Sequence, residues 1–170
     1  SAWLHVAATP RTTVYLVATG RGFAEAEYLL GADYAGSLAV DGWGPYRHFD
    51  QAVIQNCLAH LLRRSHSLQD ILRSAESRQW LEAISARLKQ ALALRDHRNT
   101  YSQLGYAIAC GRLEAAFDRL LDEPALDDDT LKFAAYLVRR RHELFVFLYD
   151  PDVPATNYRA EQAIRPAVVN

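Results

Sequence analysis

The N-terminal third of the chain alternates between extended and helical hydrophobic patterns. Two β-rich runs predict strands over Trp3–Ala8 and Thr13–Ala18, and the Thr-Pro-Arg-Thr stretch between them predicts a hairpin. Apolar residues at helical spacing predict a helix over residues 22–30, which Gly31 would end. Residues 37–41 then predict a short buried strand that ends in Asp41, and residues 52–57 predict another strand.

The hydrophobic period is helical in the following part of the chain. A helix is predicted to begin near Ala59, and Ser67 to Asp70 resembles the capping box of a new helix. Pro124 is predicted to end one helix, and the acidic run from Asp127 is predicted to cap a last long one. The predicted apolar stripes comprise Trp80, Leu81, Ile84, Leu88 and Ala91; Leu113, Phe117, Leu120 and Leu121; and Leu131, Ala134, Leu137, Val138, Leu144, Phe145 and Leu148.

Two prolines, Pro151 and Pro154, separate this helical region from a final helix. Thr156 or Asn157 is predicted to cap that helix, which carries Glu161. The order of elements predicts an α/β protein with an all-helical insertion. Residues 1–65 would form the N-terminal part of an α/β core, residues 66–149 the insertion, and residues 150–170 a core helix.

Composition narrows the class of protein without naming a function. Half of the residues are hydrophobic and 23% are charged, as is usual for a globular protein, and no apolar run has the length of a membrane span. We therefore expect a soluble, cytoplasmic protein, and the two cysteines fit a reducing compartment. The formal net charge of -1 provides no bulk attraction to nucleic acid. Because the chain has no Met and starts directly before a strand, we expect a fragment of a longer protein.

Two carboxylates are the strongest candidates for chemistry. Asp41 follows a strand and precedes Gly42, and Glu161 lies on the final helix, so that the two side chains could share divalent metal ions. The alternatives are a turn residue for Asp41 and a salt bridge from Glu161 to Arg165 on the same helix.

Three blocks that contain these residues resemble the transposases of the insertion-sequence-66 family. The blocks are Val40 to Arg47, Cys57 to Arg64, and Val153 to Asn157 continuing through Glu161 to Pro166. The resemblance implies an Asp-Asp-Glu transposase with a ribonuclease-H-like mixed sheet, which cuts and joins bacterial DNA with Mg²⁺ or Mn²⁺ and works as a homo-oligomer on DNA. Asp41 and Glu161 would be the catalytic metal ligands.

The resemblance also implies an element that the chain lacks. The first Asp of the family's triad should lie on a strand immediately before the point where this chain begins, and Asp33 is predicted to be a turn residue that cannot replace it. We therefore expect the first strand of the sheet to be missing and the fragment alone to be catalytically inert.

Four further residues are predicted to support the site or contact DNA. Asn157, Glu161 and Arg165 follow one another at intervals of four, which predicts that they lie on one side of a helix. With Glu161 at the metal ions, as the resemblance implies, Asn157 and Arg165 could lie near DNA phosphates. The family usually has a second Asn after the first, but Tyr158 stands there. His60 recurs in the family motif and would position a phosphate, and Trp43 could stack on an unpaired base or belong to the core.

Other kinds of site are less well supported by the sequence. Cys57 and His60 have the spacing of a zinc-binding pair, but a structural zinc needs about four ligands and no second pair is present. The basic runs at Arg63 and at Arg139 to His142 fit either DNA contact or a solvated helix face. Neither a nucleophilic triad motif nor a phosphate-binding Gly-rich loop is present, so no nucleotide cofactor is expected.

Two alternative functions remain open at this level. The chain could be a helical module that binds DNA or protein, with the α/β part as a scaffold, or it could belong to another ribonuclease-H-like nuclease.

Overall fold

A computed structural model describes residues 2–123 and 127–168 and has α/β architecture. The strands in this part of the chain are β1 (Trp3–Ala8), β2 (Thr13–Ala18), β3 (Ser37–Val40) and β4 (Val53–Asn56). The helices are α1 (Phe23–Leu30), α2 (Leu58–Ile71), α3 (Ala75–Asp96), α4 (Gln103–Asp122), α5 (Asp128–Arg139), α6 (Val146–Tyr149) and α7 (Tyr158–Val168). Short 3-10 turns occupy Gly44–His48, Arg98–Thr100 and Arg141–Glu143.

The strands form two separate pairs. β1 and β2 are antiparallel, with Trp3 opposite Ala18 and Ala8 opposite Thr13, which confirms the predicted hairpin. β3 and β4 are parallel, with Ser37 opposite Val53. The two pairs share no ladder hydrogen bonds within the described residues, so the predicted mixed sheet is present as two small sheets.

Local signals located the first helix and the strand that follows it. The Glu25 carboxylate accepts a hydrogen bond from the Gly22 N–H at 2.7 Å, which satisfies a free backbone donor at the start of α1. Gly31 ends the helix with a φ of 94°, a conformation that glycine adopts without a steric penalty. β3 then ends at Val40, one residue before the predicted strand end at Asp41.

Helices α2 to α6 pack around one apolar core. All five residues of the predicted stripe on α3 are buried, and they meet Leu113, Phe117 and Leu121 of α4. No strand lies within the described part of residues 66–149, as the helical period predicts. The predicted helix stop at Pro124 lies outside the described residues. No described helix combines the length and apolar character that crossing a membrane requires.

The predicted helix start at Ser67 is wrong. Ser67 is exposed in the interior of α2, which runs without a break from Leu58 to Ile71, and the cap of the next helix is Ser74, which accepts from the Ser77 N–H. The predicted boundary between the α/β core and the helical insertion, after residue 65, therefore lies inside α2. The buried Ser65 hydroxyl donates to the Leu81 carbonyl at 3.1 Å, so a small polar residue faces α3 while the polar residues after it face solvent.

The long helix predicted from Asp128 to Leu148 is also wrong, because it is broken after Arg139. Beyond the break, the buried Gln55 side chain of β4 binds backbone groups of the following segment. Its Nε2 donates to the Leu144 carbonyl at 2.9 Å, and its Oε1 accepts from the Phe147 N–H at 3.1 Å. Leu131 and Val138, which were predicted to be apolar contacts, are 41% and 54% exposed, while Phe133 is buried. The break turns the following segment back across the end of β4.

We expect Gln55→Leu to lower the free energy of unfolding by about 2–4 kcal/mol, because it leaves the Leu144 carbonyl and the Phe147 N–H buried without partners. Urea denaturation of the variant measures this change. Gln79→Leu, on the exposed face of α3, is the matched control and should change the stability by less than about 0.5 kcal/mol. Equal stability of the two variants would contradict the structural role of Gln55.

Candidate active site

Four segments meet at the carboxyl ends of the parallel strands. The Cys57 N–H donates to the Val40 carbonyl at 2.7 Å, so the end of β3 lies beside the start of α2. The Leu58 N–H donates to the Ala155 carbonyl at 3.0 Å, and the Asn157 N–H donates to the Cys57 sulfur at 3.4 Å. These bonds join segments that are about 100 residues apart, and they bring the start of α7 to the same place.

Glu161 lies one turn into α7 and faces the start of α2. Its Oε1 accepts a hydrogen bond from Nη2 of Arg63 at 2.9 Å and lies 3.3 Å from Nδ1 of His60. Oxygen, nitrogen and sulfur donors of Glu161, His60 and Cys57 all lie within 4.8 Å of one another. The Glu161 side chain is 27% exposed, so solvent reaches the carboxylate. The predicted alternative, a salt bridge to Arg165, is replaced by contacts to α2.

Asp41 is exposed at the end of β3. Its Oδ1 accepts a hydrogen bond from the Trp43 N–H at 3.0 Å, which closes a tight turn. The preceding residue, Val40, is bonded to Cys57, whose sulfur lies within 4.8 Å of the Glu161 carboxylate. Asp41 and Glu161 are therefore at the same end of the β3–β4 pair, although Asp41 is outside the Cys57–His60–Glu161 cluster.

Gly42 fits the turn after Asp41 for two reasons. Its φ is 100°, and a Cβ at this position would lie 2.7 Å from the Tyr136 hydroxyl. That hydroxyl accepts a hydrogen bond from Nδ2 of the buried Asn56, whose Oδ1 has no hydrogen-bond partner among the described residues. Asn56 and Tyr136 were missed by the sequence reasoning. A polar residue at the end of a buried strand is the signal that could have identified Asn56.

Arg47 connects the turn after Asp41 to the helical region. Its Nη1 donates to the carbonyls of Gly42 and Trp43, both at 3.0 Å. Its Nε and Nη2 donate to the two oxygens of Glu143 at 2.8 and 2.6 Å, and the Glu143 side chain is only 2% exposed. Burial lowers the pKa of Arg47, but the hydrogen bonds and the charge of Glu143 outweigh it and raise the pKa overall. No sequence motif pointed to this pair, which joins residues 96 positions apart.

The aromatic residues near Asp41 pack against one another. Trp43 is half-buried, with its ring edge-on to Tyr46 at 5.1 Å and tilted to His5 at 5.8 Å. Burial and then the nearby Asp41 charge raise the pKa of Tyr46. Trp80 is buried in the helical core and donates to the Leu120 carbonyl, so it belongs to the core rather than to a surface for bases.

The remaining predicted residues are placed as follows. The Oδ1 atom of Asn157 is buried and has no hydrogen-bond partner in the part of the chain that the structure describes. Arg165 is exposed one turn beyond Glu161. Arg141 binds Glu114 and Asp118, and Arg140 contacts Glu143, so two of the three arginines in the second basic run have acidic partners.

Comparison with protein families supplies an assignment for the whole chain. The model of the Transposase IS66 family matches residues 1–170, which includes every segment of the site. Comparisons with curated proteins and with solved structures gave no match. The match covers the full length of the sequence, and the chain therefore belongs to the Transposase IS66 family.

Proposed function

We propose that this chain is part of the catalytic domain of a DNA transposase, with Asp41 and Glu161 as ligands for Mg²⁺ or Mn²⁺. The observation that carries the proposal is the meeting of the segments that bear Asp41 and Glu161 at the carboxyl ends of β3 and β4. Carboxylate oxygens are the donors that these hard cations prefer, so the two residues fit such ions. Membership of the transposase family supports the same chemistry.

The bound metal ions would activate the attacking oxygen and stabilise the leaving oxygen in phosphodiester cleavage and strand transfer. Before metal binding, the Arg63 guanidinium compensates the charge of Glu161. His60 borders the carboxylate on the side of α2 and would help to orient it. Asn157 and Arg165 would contact the DNA backbone, and Trp43 would support the turn that presents Asp41.

The proposal includes a ribonuclease-H-like core that is completed by a third carboxylate. An additional strand that carries this Asp would pair with free edges of β1 and β3 and join the two small sheets into one. Residues 1–65 and 150–170 would then belong to the core and residues 66–149 to a helical insertion, with α2 shared between them. We propose that the intact protein acts on transposon ends and target DNA as a homo-oligomer in the bacterial cytoplasm.

The test is a cleavage and joining assay with the intact transposase and a plasmid that carries its native element. We expect nicks with free 3′-hydroxyls and joined products in Mg²⁺ or Mn²⁺, and neither product after chelation of the metal. Cleavage without joining would favour another nuclease of the same fold. DNA binding without cleavage in any divalent metal would refute the catalytic proposal and support the non-catalytic binding module.

A further inference from the structure

The side chains around Glu161 form a second set of ligand atoms that differs in chemistry from the two proposed catalytic carboxylates. The sulfur of Cys57, a ring nitrogen of His60 and a carboxylate oxygen of Glu161 lie within 4.8 Å of one another. We infer that these three side chains form a site for a zinc-like divalent transition metal. The site shares Glu161 with the proposed function, but its existence is independent of DNA cleavage because it requires neither Asp41 nor DNA.

The donor set selects the class of metal. Thiolate and imidazole ligands favour zinc and its neighbours, whereas Mg²⁺ binds almost exclusively through oxygen. Three protein ligands of sulfur, nitrogen and oxygen type leave one of four tetrahedral positions for water, as in open zinc sites rather than closed structural ones. If the separations between the three ligand atoms shortened by about 1 Å, all three atoms could bind one ion, given zinc–ligand bonds of about 2.0–2.3 Å.

The local backbone explains how a short motif and a distant residue meet. Cys57 precedes the first residue of α2 and His60 lies in its first turn, so the spacing of three brings both side chains to one side of the helix. The third donor arrives on α7, which is held in place by the bond from the Asn157 N–H to the Cys57 sulfur. Sequence spacing shows only the Cys–His pair, because Glu161 follows about 100 residues later.

Unsatisfied polar atoms support the assignment. Nδ1 of His60 is buried and lies 3.3 Å from Oε1 of Glu161, but the angles are not those of a hydrogen bond, so this nitrogen has no hydrogen-bond partner among the described residues. A buried nitrogen without a partner is unfavourable unless something else binds it. A metal ion between Nδ1, the carboxylate and the thiolate would bind it.

Arg63 contacts two of the three side chains of this cluster. Nη2 of Arg63 lies 2.9 Å from Nε2 of His60 and 2.9 Å from Oε1 of Glu161. The Arg63 guanidinium therefore lies at a position that attracts cations. If Nδ1 of a neutral imidazole binds a metal, the ring proton is on Nε2, which then cannot accept a hydrogen bond from Arg63. Metal binding therefore displaces Arg63, whose side chain is 57% exposed and free to move into solvent.

The inference is tested by titrating the full-length protein with Co²⁺, and then displacing it with Zn²⁺, without DNA. We expect one equivalent of Co²⁺ to produce thiolate-to-cobalt charge-transfer absorption, which Zn²⁺ removes and excess Mg²⁺ does not. Cys57→Ser should abolish this absorption, and His60→Ala and Glu161→Gln should each weaken binding by more than about 10-fold. Cys110→Ser and His66→Ala are the matched controls, since Cys110 is buried on α4 and His66 is exposed on α2.

Arg63→Ala provides a result that a nonspecific thiol site would not give. Because it removes a competing cation, the affinity for Co²⁺ should rise about two- to fivefold, the range that loss of one exposed ion pair allows. Arg78→Ala, on the exposed face of α3, should leave the affinity unchanged. Absence of the charge-transfer band in the folded wild-type protein, or equal effects of Cys57→Ser and Cys110→Ser, would overturn the inference. If the wild-type protein binds Co²⁺ at this site but does not cleave DNA, only the proposed function is rejected.

Discussion

Asp41→Asn and Glu161→Gln in the intact transposase should each reduce DNA cleavage by roughly 10³-fold or more. A metal ligand supplies several kcal/mol of transition-state stabilisation, and each 1.4 kcal/mol corresponds to a factor of ten in rate. Each substitution removes the negative charge of the side chain and retains the shape of the side chain. The amide introduced at position 41 keeps an oxygen that accepts from the Trp43 N–H, and the amide introduced at position 161 keeps an oxygen that accepts from Arg63. The fold should therefore survive while metal binding is lost.

The measurement combines cleavage rates, the Mg²⁺ affinity and thermal unfolding of the same variants. Asp33→Asn in the exposed turn before β3 and Glu82→Gln on the exposed face of α3 remove the same charges elsewhere, and both should cleave at the rate of the wild type. Cleavage that persists in either Asp41→Asn or Glu161→Gln, at unchanged stability, would show that the carboxylate is not a catalytic ligand.

Arg47→Ala should lower the free energy of unfolding by about 3–5 kcal/mol, the usual effect of removing one partner from a buried ion pair. Arg47 is the principal partner of Glu143, whose carboxylate is 2% exposed and has a longer contact of 3.3 Å to Arg140. The same substitution removes two hydrogen bonds to the turn after Asp41. The Arg47→Ala variant should therefore lose both folding stability and the fixed position of Asp41.

Urea denaturation measures the loss of stability, and Arg139→Ala, whose side chain is exposed at the end of α5, is the control with an expected change below about 0.5 kcal/mol. The double variant Arg47→Met with Glu143→Leu separates charge from packing. It should be more stable than Arg47→Ala, because no buried carboxylate is left uncompensated. If Arg47→Ala unfolds like the control, the pair contributes nothing to the link between the turn and the helices.

The elements that local sequence predicts well are those that local interactions stabilise. The hairpin, α1 and β3 follow from β-rich runs, helical spacing and the glycine at position 31, and the buried stripe of α3 follows from its helical period. The strand-end position of Asp41 and the helical position of Glu161 were predictable for the same reason. Whether these two side chains bind metal is a prediction that the activity and affinity measurements test.

The two wrong helix predictions have a common physical cause, because each helix boundary depends on a partner that is distant in sequence. Ser67 resembles a helix cap in isolation, but α2 continues through it since Ser65 and its neighbours pack on α3. The helical period of residues 128–148 is strong, yet the helix ends at Arg139, and the Gln55 side chain then binds the backbone at Leu144 and Phe147. Such a side chain competes with local hydrogen bonds only after the tertiary fold has buried it beside them.

The amino-acid sequence by itself determined the hairpin, α1, β3, the buried face of α3 and the two candidate carboxylates, because these follow from the period and from the nearest neighbours along the chain. Only the tertiary structure decided that Glu161 lies against His60 and Cys57, and that Arg47 fixes the turn after Asp41 by binding Glu143. These contacts close loops of about 100 residues. Packing of the whole helical core against β4 and α2 supplies the free energy that holds such distant groups together.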